Sequence, residues 1–162
     1  MYIQTQRCLV RPFEEKDIDN FMLYRNNLDW MIHQGFKGLS KIEYQAFLLT
    51  KPDFAKGAQF AVSNRKTNEL IGDIYLKQED STFWLGYTIT PAQARKGYAS
   101  EVVSAVLASL STHGCRQIKA GVLPENQASI RLLEKLGFTY SETDDYGEKV
   151  YIEAIDIAEY KE

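Results

Sequence analysis

Between residues 59 and 122 the hydrophobic period of the chain changes twice, and this restricts the fold more than any other feature. QFAVSN (59–64), LIGDIYLK (70–77) and FWLGYTI (83–89) are short and rich in aromatic and β-branched residues. They read as three strands of a meander, the first two joined by the polar turn RKTN. Then Val102, Val103, Val106, Leu107 and Leu110 recur at helical spacing, with Glu101, Ser104 and Ser109 on other faces. Gly114 is placed to stop this helix, and RQIKAGV (116–122) is strand-like again. A strand, a helix of about four turns and a second strand form a βαβ crossover, so the two strands are expected to be parallel.

The flanking segments fill out the order. QRCLVRPF (6–13) reads as a strand ended by Pro12, and EEKDIDNFMLYRNN (14–27) as a helix with an acidic start. Ser40 and Glu43 have the spacing of a capping box for a helix reaching residue 49. Asn126 is an N-cap candidate for a helix that Gly137 ends. Two closing strands are expected near 138–141 and 149–157. No repeat, low-complexity tract or linker interrupts the 162 residues, so a single α/β domain over 1–162 is expected.

Bulk properties exclude several function classes. A net charge of -3 argues against a general nucleic-acid binder. There is no apolar run long enough for a bilayer span, and MYIQTQRCLV lacks a signal-peptide layout. Cys8 and Cys115 form no CxxC, and with only His33 and His113 beside them they give a metal site little to work with. The expectation is a cytoplasmic, reduced, metal-free protein with no nucleic-acid or membrane partner.

The stretch PAQARKGYAS (91–100) lies where the third meander strand meets the long helix. The first-turn amides of a helix have no intrahelical acceptors, and the helix dipole favours negative charge there. Gly97 removes a Cβ that would hold an oxygen away from the backbone, Ala99 is nearly as small, and Arg95 and Lys96 add cationic donors. Two readings stay open on local physics: a plain strand-to-helix turn with solvated basic residues, or a cradle for a diphosphate. Neither a GK[ST] ending nor GxGxxG occurs here, so common nucleotide loops do not apply.

QARKGYASE followed by ENQASIRLLEKLGF resembles the GNAT superfamily of acetyl-coenzyme-A-dependent N-acetyltransferases. The family's pyrophosphate loop, Gln/Arg-x-x-Gly-x-Gly/Ala, is matched at Gly97 and Ala99. Its following helix, Asn-x-x-Ser/Ala ending in Gly-Phe, is matched at Asn126, Ser129, Gly137 and Phe138. LVRPFEEKDID, LIGDIYL and FWLGYTITP resemble the branch of ribosomal-protein N-terminal acetyltransferases. The resemblance implies a mixed-sheet GNAT-like fold with a central βαβ cofactor unit. It implies acetyl-CoA as cosubstrate, held by Ile89, Arg95, Lys96, Gly97, Tyr98, Ala99, Ser100, Asn126 and Ser129. Two positions depart from the pattern: Ala94 stands at the Gln/Arg position, and Leu133 where many members carry a tyrosine that protonates the departing thiolate.

The implied reaction is direct attack of a neutral amine on the thioester. A lysine-like amine, with a reference pKa of about 10.4, is almost wholly protonated at pH 7, whereas an α-amine at about 7.7–8.0 is already partly neutral. An α-amine acceptor therefore asks less of a general base. Candidates for catalytic roles are Glu142 and Glu125 as bases, Tyr87 near the acceptor, and Ser129 near the thiol. A backbone N–H around Thr88 is expected at the carbonyl. Each side chain also has a structural reading: Glu125 at a helix N-terminus, Glu142 as a solvated strand residue, Tyr87 as a packed aromatic, and Asn126 as a cap. Trp30, His33, Phe36 and Tyr44 are candidates for an acceptor pocket, and core packing explains the aromatics equally well. The acceptor is a peptide N-terminus or a small-molecule amine, with an aminoglycoside or polyamine included; a homodimer stays open. The alternative function is a non-catalytic module that binds or senses acetyl-CoA, suggested by Leu133 and the unassigned base.

Overall fold

In a computed structural model, which describes residues 1–155, one eight-stranded sheet runs through the middle of the chain. Its strands are β1 (Ile3–Gln4), β2 (Cys8–Pro12), β3 (Ala58–Asn64), β4 (Leu70–Glu79), β5 (Thr82–Ile89), β6 (Gln117–Val122), β7 (Thr139–Thr143) and β8 (Lys149–Ala154). The helices are α1 (Ile18–Arg25), α2 (Lys41–Leu48), α3 (Tyr98–Leu110) and α4 (Gln127–Lys135). The sheet order is β1-β2-β3-β4-β5-β6-β8-β7. Every neighbouring pair is antiparallel except β5 and β6, which the α3 crossover makes parallel, as the change of period requires. The mixed α/β architecture anticipated from the sequence is present.

Strand alternation sends apolar side chains to two cores. Phe83 and Leu85 of β5, with Ile74 and Leu76 of β4, pack with Val102, Val103, Val106 and Leu110 of α3 and with Ile130 and Leu133 of α4. The other core holds Phe13, Ile18, Phe21, Tyr24, Tyr44 and Leu48, so α1 and α2 contribute to it. Edge-to-face contacts link Phe21 to Phe13, Tyr24 and Tyr44 at centroid separations of 5.1 to 5.4 Å.

Local differences from the sequence reading have identifiable causes. The helix expected over 14–27 begins as a 3-10 turn, Glu15–Asp17, and becomes α-helical only at Ile18. The cause is Asp17: its carboxylate is held by Arg11 at 2.7 and 2.9 Å and also accepts the Glu14 amide at 2.8 Å. Both members of the Arg11–Asp17 pair are buried, which fixes the start of α1 to strand β2. The Ser40–Glu43 capping box forms as expected. Asn126 accepts the Ser129 amide at 3.3 Å, and Gly137 takes a φ of 99° after α4. The last expected strand forms over Lys149–Ala154; its residues 156 and 157 lie outside the described part. The two-residue β1 carries too short a pattern to be read from sequence.

Candidate active site

The β5–β6 ladder stops after three residue pairs, Thr82↔Gln117, Phe83↔Ile118 and Trp84↔Lys119. Both strands continue, β5 along β4 and β6 along β8. The sheet is thus open between residues 85–89 of β5 and 120–122 of β6. Thr90 donates its amide to the Ile71 carbonyl in the direction of β4. By the alternation of an antiparallel ladder, the amides of Tyr87 and Ile89 point the other way, into the opening, while that of Thr88 belongs to the β4 side. The donors around Thr88 that face the gap are therefore its two neighbours. The Ile89 carbonyl accepts Trp30 Nε1 at 3.0 Å.

Beyond Ile89 the chain makes a 3-10 turn at Pro91–Gln93 and then bends through two left-handed residues, Arg95 (φ 62°) and Gly97 (φ 82°), before α3 begins. Such angles suit glycine but are costly for arginine. A Cβ on Gly97 would find only Arg7 Nη2, at an ordinary 3.5 Å. The glycine is thus required here by its backbone angle more than by local crowding. No side chain caps α3. Among the described residues, none of the amides from Arg95 to Ser100 donates to a protein acceptor. Arg95, Lys96 and Gly97 are exposed, and Tyr98, Ala99 and Ser100 half-buried. Lys96 Nζ reaches only Gln93 Oε1, at 3.1 Å.

At the opening, Tyr87 of β5 and Ser129 of α4 meet: their hydroxyl oxygens are 2.7 Å apart. Burial pushes the Tyr87 phenol above its ordinary value of 10.0, an effect partly offset by the Ser129 hydrogen bond. Leu133, one turn further along α4, is 1% exposed and belongs to the core, so a thiolate acid has no place there. Glu125 is exposed beside the α4 cap. Glu142 lies exposed on β7, the outer edge strand, with β8 and β6 between it and the opening. The structure therefore brings Tyr87, Ser129 and Asn126 together but keeps Glu142 apart from them.

On the opposite face of β5 is a cavity of about 330 Å³. Its walls include Phe36, Phe47, Tyr75 and Gly86, and Tyr87 borders it too. At its base Asp73 is almost fully buried and accepts Arg25 Nη2 at 2.7 Å, Gln59 Nε2 at 2.7 Å and the Tyr24 hydroxyl. Burial pushes the Tyr24 phenol well above its ordinary range, and the adjacent Asp73 carboxylate adds to this. Arg25 also donates to Thr88 Oγ1 at 3.2 Å and to the Gly35 carbonyl at 3.2 Å, joining α1, both strands and the loop after it. Asp73→Ala would strand a buried guanidinium. It is expected to lower unfolding free energy by about 3–5 kcal/mol, to be read by denaturant titration.

Of the four acceptor-side candidates, Phe36 lines this cavity. Tyr44 is fully buried and donates to Asn26, while Trp30 is tied to Ile89. His33 is half-buried and not in the lining. Arg25, Gln59, Asp73 and Tyr75 escaped sequence reasoning; the available signal was an Asp inside the apolar run LIGDIYL, which needs a partner once buried. His113 and Cys115 sit at the far end of α3 from Gly97. His113 packs on Phe54 at 5.4 Å, and the buried Cys115 thiol has its pKa pushed up by burial.

Comparison with known proteins shows the family and the fold. Residues 7–139 match the family model for the acetyltransferase (GNAT) domain. The chain is 32% identical over 145 residues to the uncharacterized N-acetyltransferase YoaA of Bacillus subtilis (strain 168), covering 84% of this chain and 81% of that protein. Its fold is similar to a GNAT-family acetyltransferase from Bacillus anthracis, with a TM-score of 0.82 and 26% identity over 98% of this chain and 99% of that one. It is also similar to the ribosomal-protein alpha-N acetyltransferase RimL in complex with coenzyme A, with a TM-score of 0.80 and 17% identity over 97% and 99%. The chain belongs to the GNAT acetyltransferase family.

Proposed function

We propose that this protein transfers the acetyl group of acetyl-CoA to the α-amine of a peptide or protein N-terminus. The observation that carries this reading is the free row of amides from Arg95 to Ser100, set directly after the strand that parts from its parallel neighbour. Those residues fit an elongated diphosphate-bearing cosubstrate: unpartnered donors converge at a helix start, and two cationic side chains flank them. When bound, acetyl-CoA would supply the acyl thioester that the amine attacks.

The chain's own groups divide the remaining work. Gly97, Tyr98, Ala99 and Ser100 offer backbone donors to the diphosphate, with Arg95 and Lys96 beside them, while Asn126 orders the start of α4. The gap-facing amides of Tyr87 and Ile89, both half-buried residues, would hold an acyl oxygen at the opening. Ser129 Oγ and Tyr87 Oη, hydrogen-bonded to each other, hold a proton at the opening that could pass to a departing thiolate. A phenol with a raised pKa stays protonated through neutral pH, so this pair takes the place of the tyrosine that Leu133 replaces. Glu142 is too far out on the sheet to serve as the base, and the lower pKa of an α-amine lessens the need for one.

The cavity supports the choice of acceptor. Among the described residues the charged ones lining it, Arg25 and Asp73, are paired with each other, so they offer no free carboxylate to a polycation such as an aminoglycoside or polyamine. Aromatic walls with Gln34 and Gln59 suit an uncharged side chain next to one amine. RimL's activity on a ribosomal protein, as its name states, points the same way. The non-catalytic alternative loses its main support, because a proton donor stands at the opening although Leu133 cannot be one. A reducing cell interior suits two buried free cysteines, and a cytoplasmic location is proposed. The test is a panel of peptides, polyamines and aminoglycosides with acetyl-CoA, read by free-thiol release and product mass. Turnover with peptide α-amines in preference to polycations is expected; cofactor binding without turnover on any amine would refute the reading.

A further inference from the structure

Arg7 lies in the turn between β1 and β2, far in sequence from the cofactor loop, yet its side chain reaches three parts of it. Nη1 donates to the Lys96 carbonyl at 2.9 Å, Nε donates to Glu101 Oε1 at 2.6 Å, and the guanidinium lies 4.2 Å from the centroid of the Tyr98 ring. Glu101 is further tied down by the Arg7 amide at 2.9 Å and by Thr5 Oγ1 at 2.6 Å. Lys96 is the residue between left-handed Arg95 and Gly97. Tyr98 is the first residue of α3, and Glu101 ends its first turn.

We propose that Arg7 is the positioning residue of the cofactor loop, holding the strained Arg95–Gly97 turn in the shape that presents its amides to a diphosphate. The physical need is specific. An arginine in the left-handed region is strained, and the amides from Arg95 to Ser100 find no protein acceptor among the described residues to offset it. The Lys96 carbonyl, inside that turn, is held from outside by Arg7 Nη1. A carboxylate in the first turn of a helix is also drawn to the free amides there. Glu101 would compete with an anionic ligand if it folded back. The Thr5–Arg7 turn engages both of its oxygens and keeps it aside. Planar guanidinium geometry lets one side chain do both while lying over the Tyr98 ring.

The inference rests on the reading that the loop binds the diphosphate of acetyl-CoA, and the experiment separates the two. Binding of CoA and of pantetheine, which lacks the diphosphate, is measured by calorimetry for wild type, Arg7→Met and Arg7→Lys, with thermal melts as a folding control. Wild type binding CoA no more tightly than pantetheine would remove the loop reading itself, before any variant is compared. With that difference established, Arg7→Met is expected to raise the Kd for CoA about tenfold or more. Pantetheine affinity should hold within about twofold, since only the diphosphate contact depends on the loop. In turnover the KM for acetyl-CoA should rise while kcat stays near wild type. Arg7→Lys keeps the charge but reaches fewer partners, so its CoA affinity should fall between the two. It also serves as the test if Arg7→Met melts too low to assay. An unchanged CoA affinity in both variants, or equal losses for CoA and pantetheine, would overturn the proposal.

Discussion

Gly97→Glu is expected to raise the KM for acetyl-CoA by about a hundredfold or more while leaving a folded protein. Two effects add. A non-glycine residue at a φ of 82° carries strain of about 1–3 kcal/mol, most easily relieved by moving the loop. The new carboxylate would also stand at the mouth of a helix whose free amides suit an anion, so it would fill that site itself and repel a diphosphate. The fold should survive, because a Cβ there meets nothing closer than Arg7 Nη2 at 3.5 Å. Initial-rate kinetics over a range of acetyl-CoA concentrations, beside a melting curve, check both halves. Gly97→Ala isolates the strain and should show a smaller increase in the same constant.

The second large effect is expected in kcat. The Tyr87–Ser129 hydroxyl pair is the only hydrogen-bonded pair of hydroxyls that the described residues place at the opening. Positioned proton donors are typically worth about 10²–10⁴ in rate. Ser129→Ala combined with Tyr87→Phe is therefore expected to lower kcat by about a hundredfold, with the Kd for CoA little changed. The single variants should not add, because the two hydroxyls act on one proton. Alkaline pH should spare the wild type well past neutrality, since burial holds the Tyr87 phenol above 10.0. The descending limb of its pH–rate profile should lie at or above that value, and should vanish in Tyr87→Phe. Pre-steady-state and steady-state rates across pH measure this.

The sequence and the structure agree most closely where the signal is local and periodic. The aromatic and β-branched content of QFAVSN and FWLGYTI, the helical spacing of Val102 to Leu110, and the Ser40–Glu43 and Asn126 caps depend on neighbours a few residues apart, so they can be read from the chain alone. The helix start after Gly97 is legible for a similar reason, whereas the left-handed angles of Arg95 and Gly97 are not: the sequence points only to Gly97 lacking a Cβ. Tyr87 and Ser129 each stand out in the sequence, but their contact spans 42 residues and depends on where β5 and β6 part. An Asp inside LIGDIYL signals that some partner is needed, but the partners of Asp73 are not legible, because Tyr24, Arg25 and Gln59 come from α1 and β3. Arg7 was missed on the same grounds, since a basic residue before a strand says nothing of Glu101, 94 residues away. Glu142 shows the converse: proximity to the Gly-Phe motif in sequence placed it near the site, whereas strand order carried it to the far edge.

The central claim is that the backbone donors from Arg95 to Ser100 bind the diphosphate of the cosubstrate, and amide-resolved nuclear magnetic resonance tests it directly. Titration with CoA should shift the amide signals of Gly97, Tyr98, Ala99 and Ser100 more than those elsewhere in the chain, and pantetheine at saturation should leave them nearly unmoved. If CoA binds and those four amides stay where they are, with the largest shifts in another part of the molecule, the account is wrong.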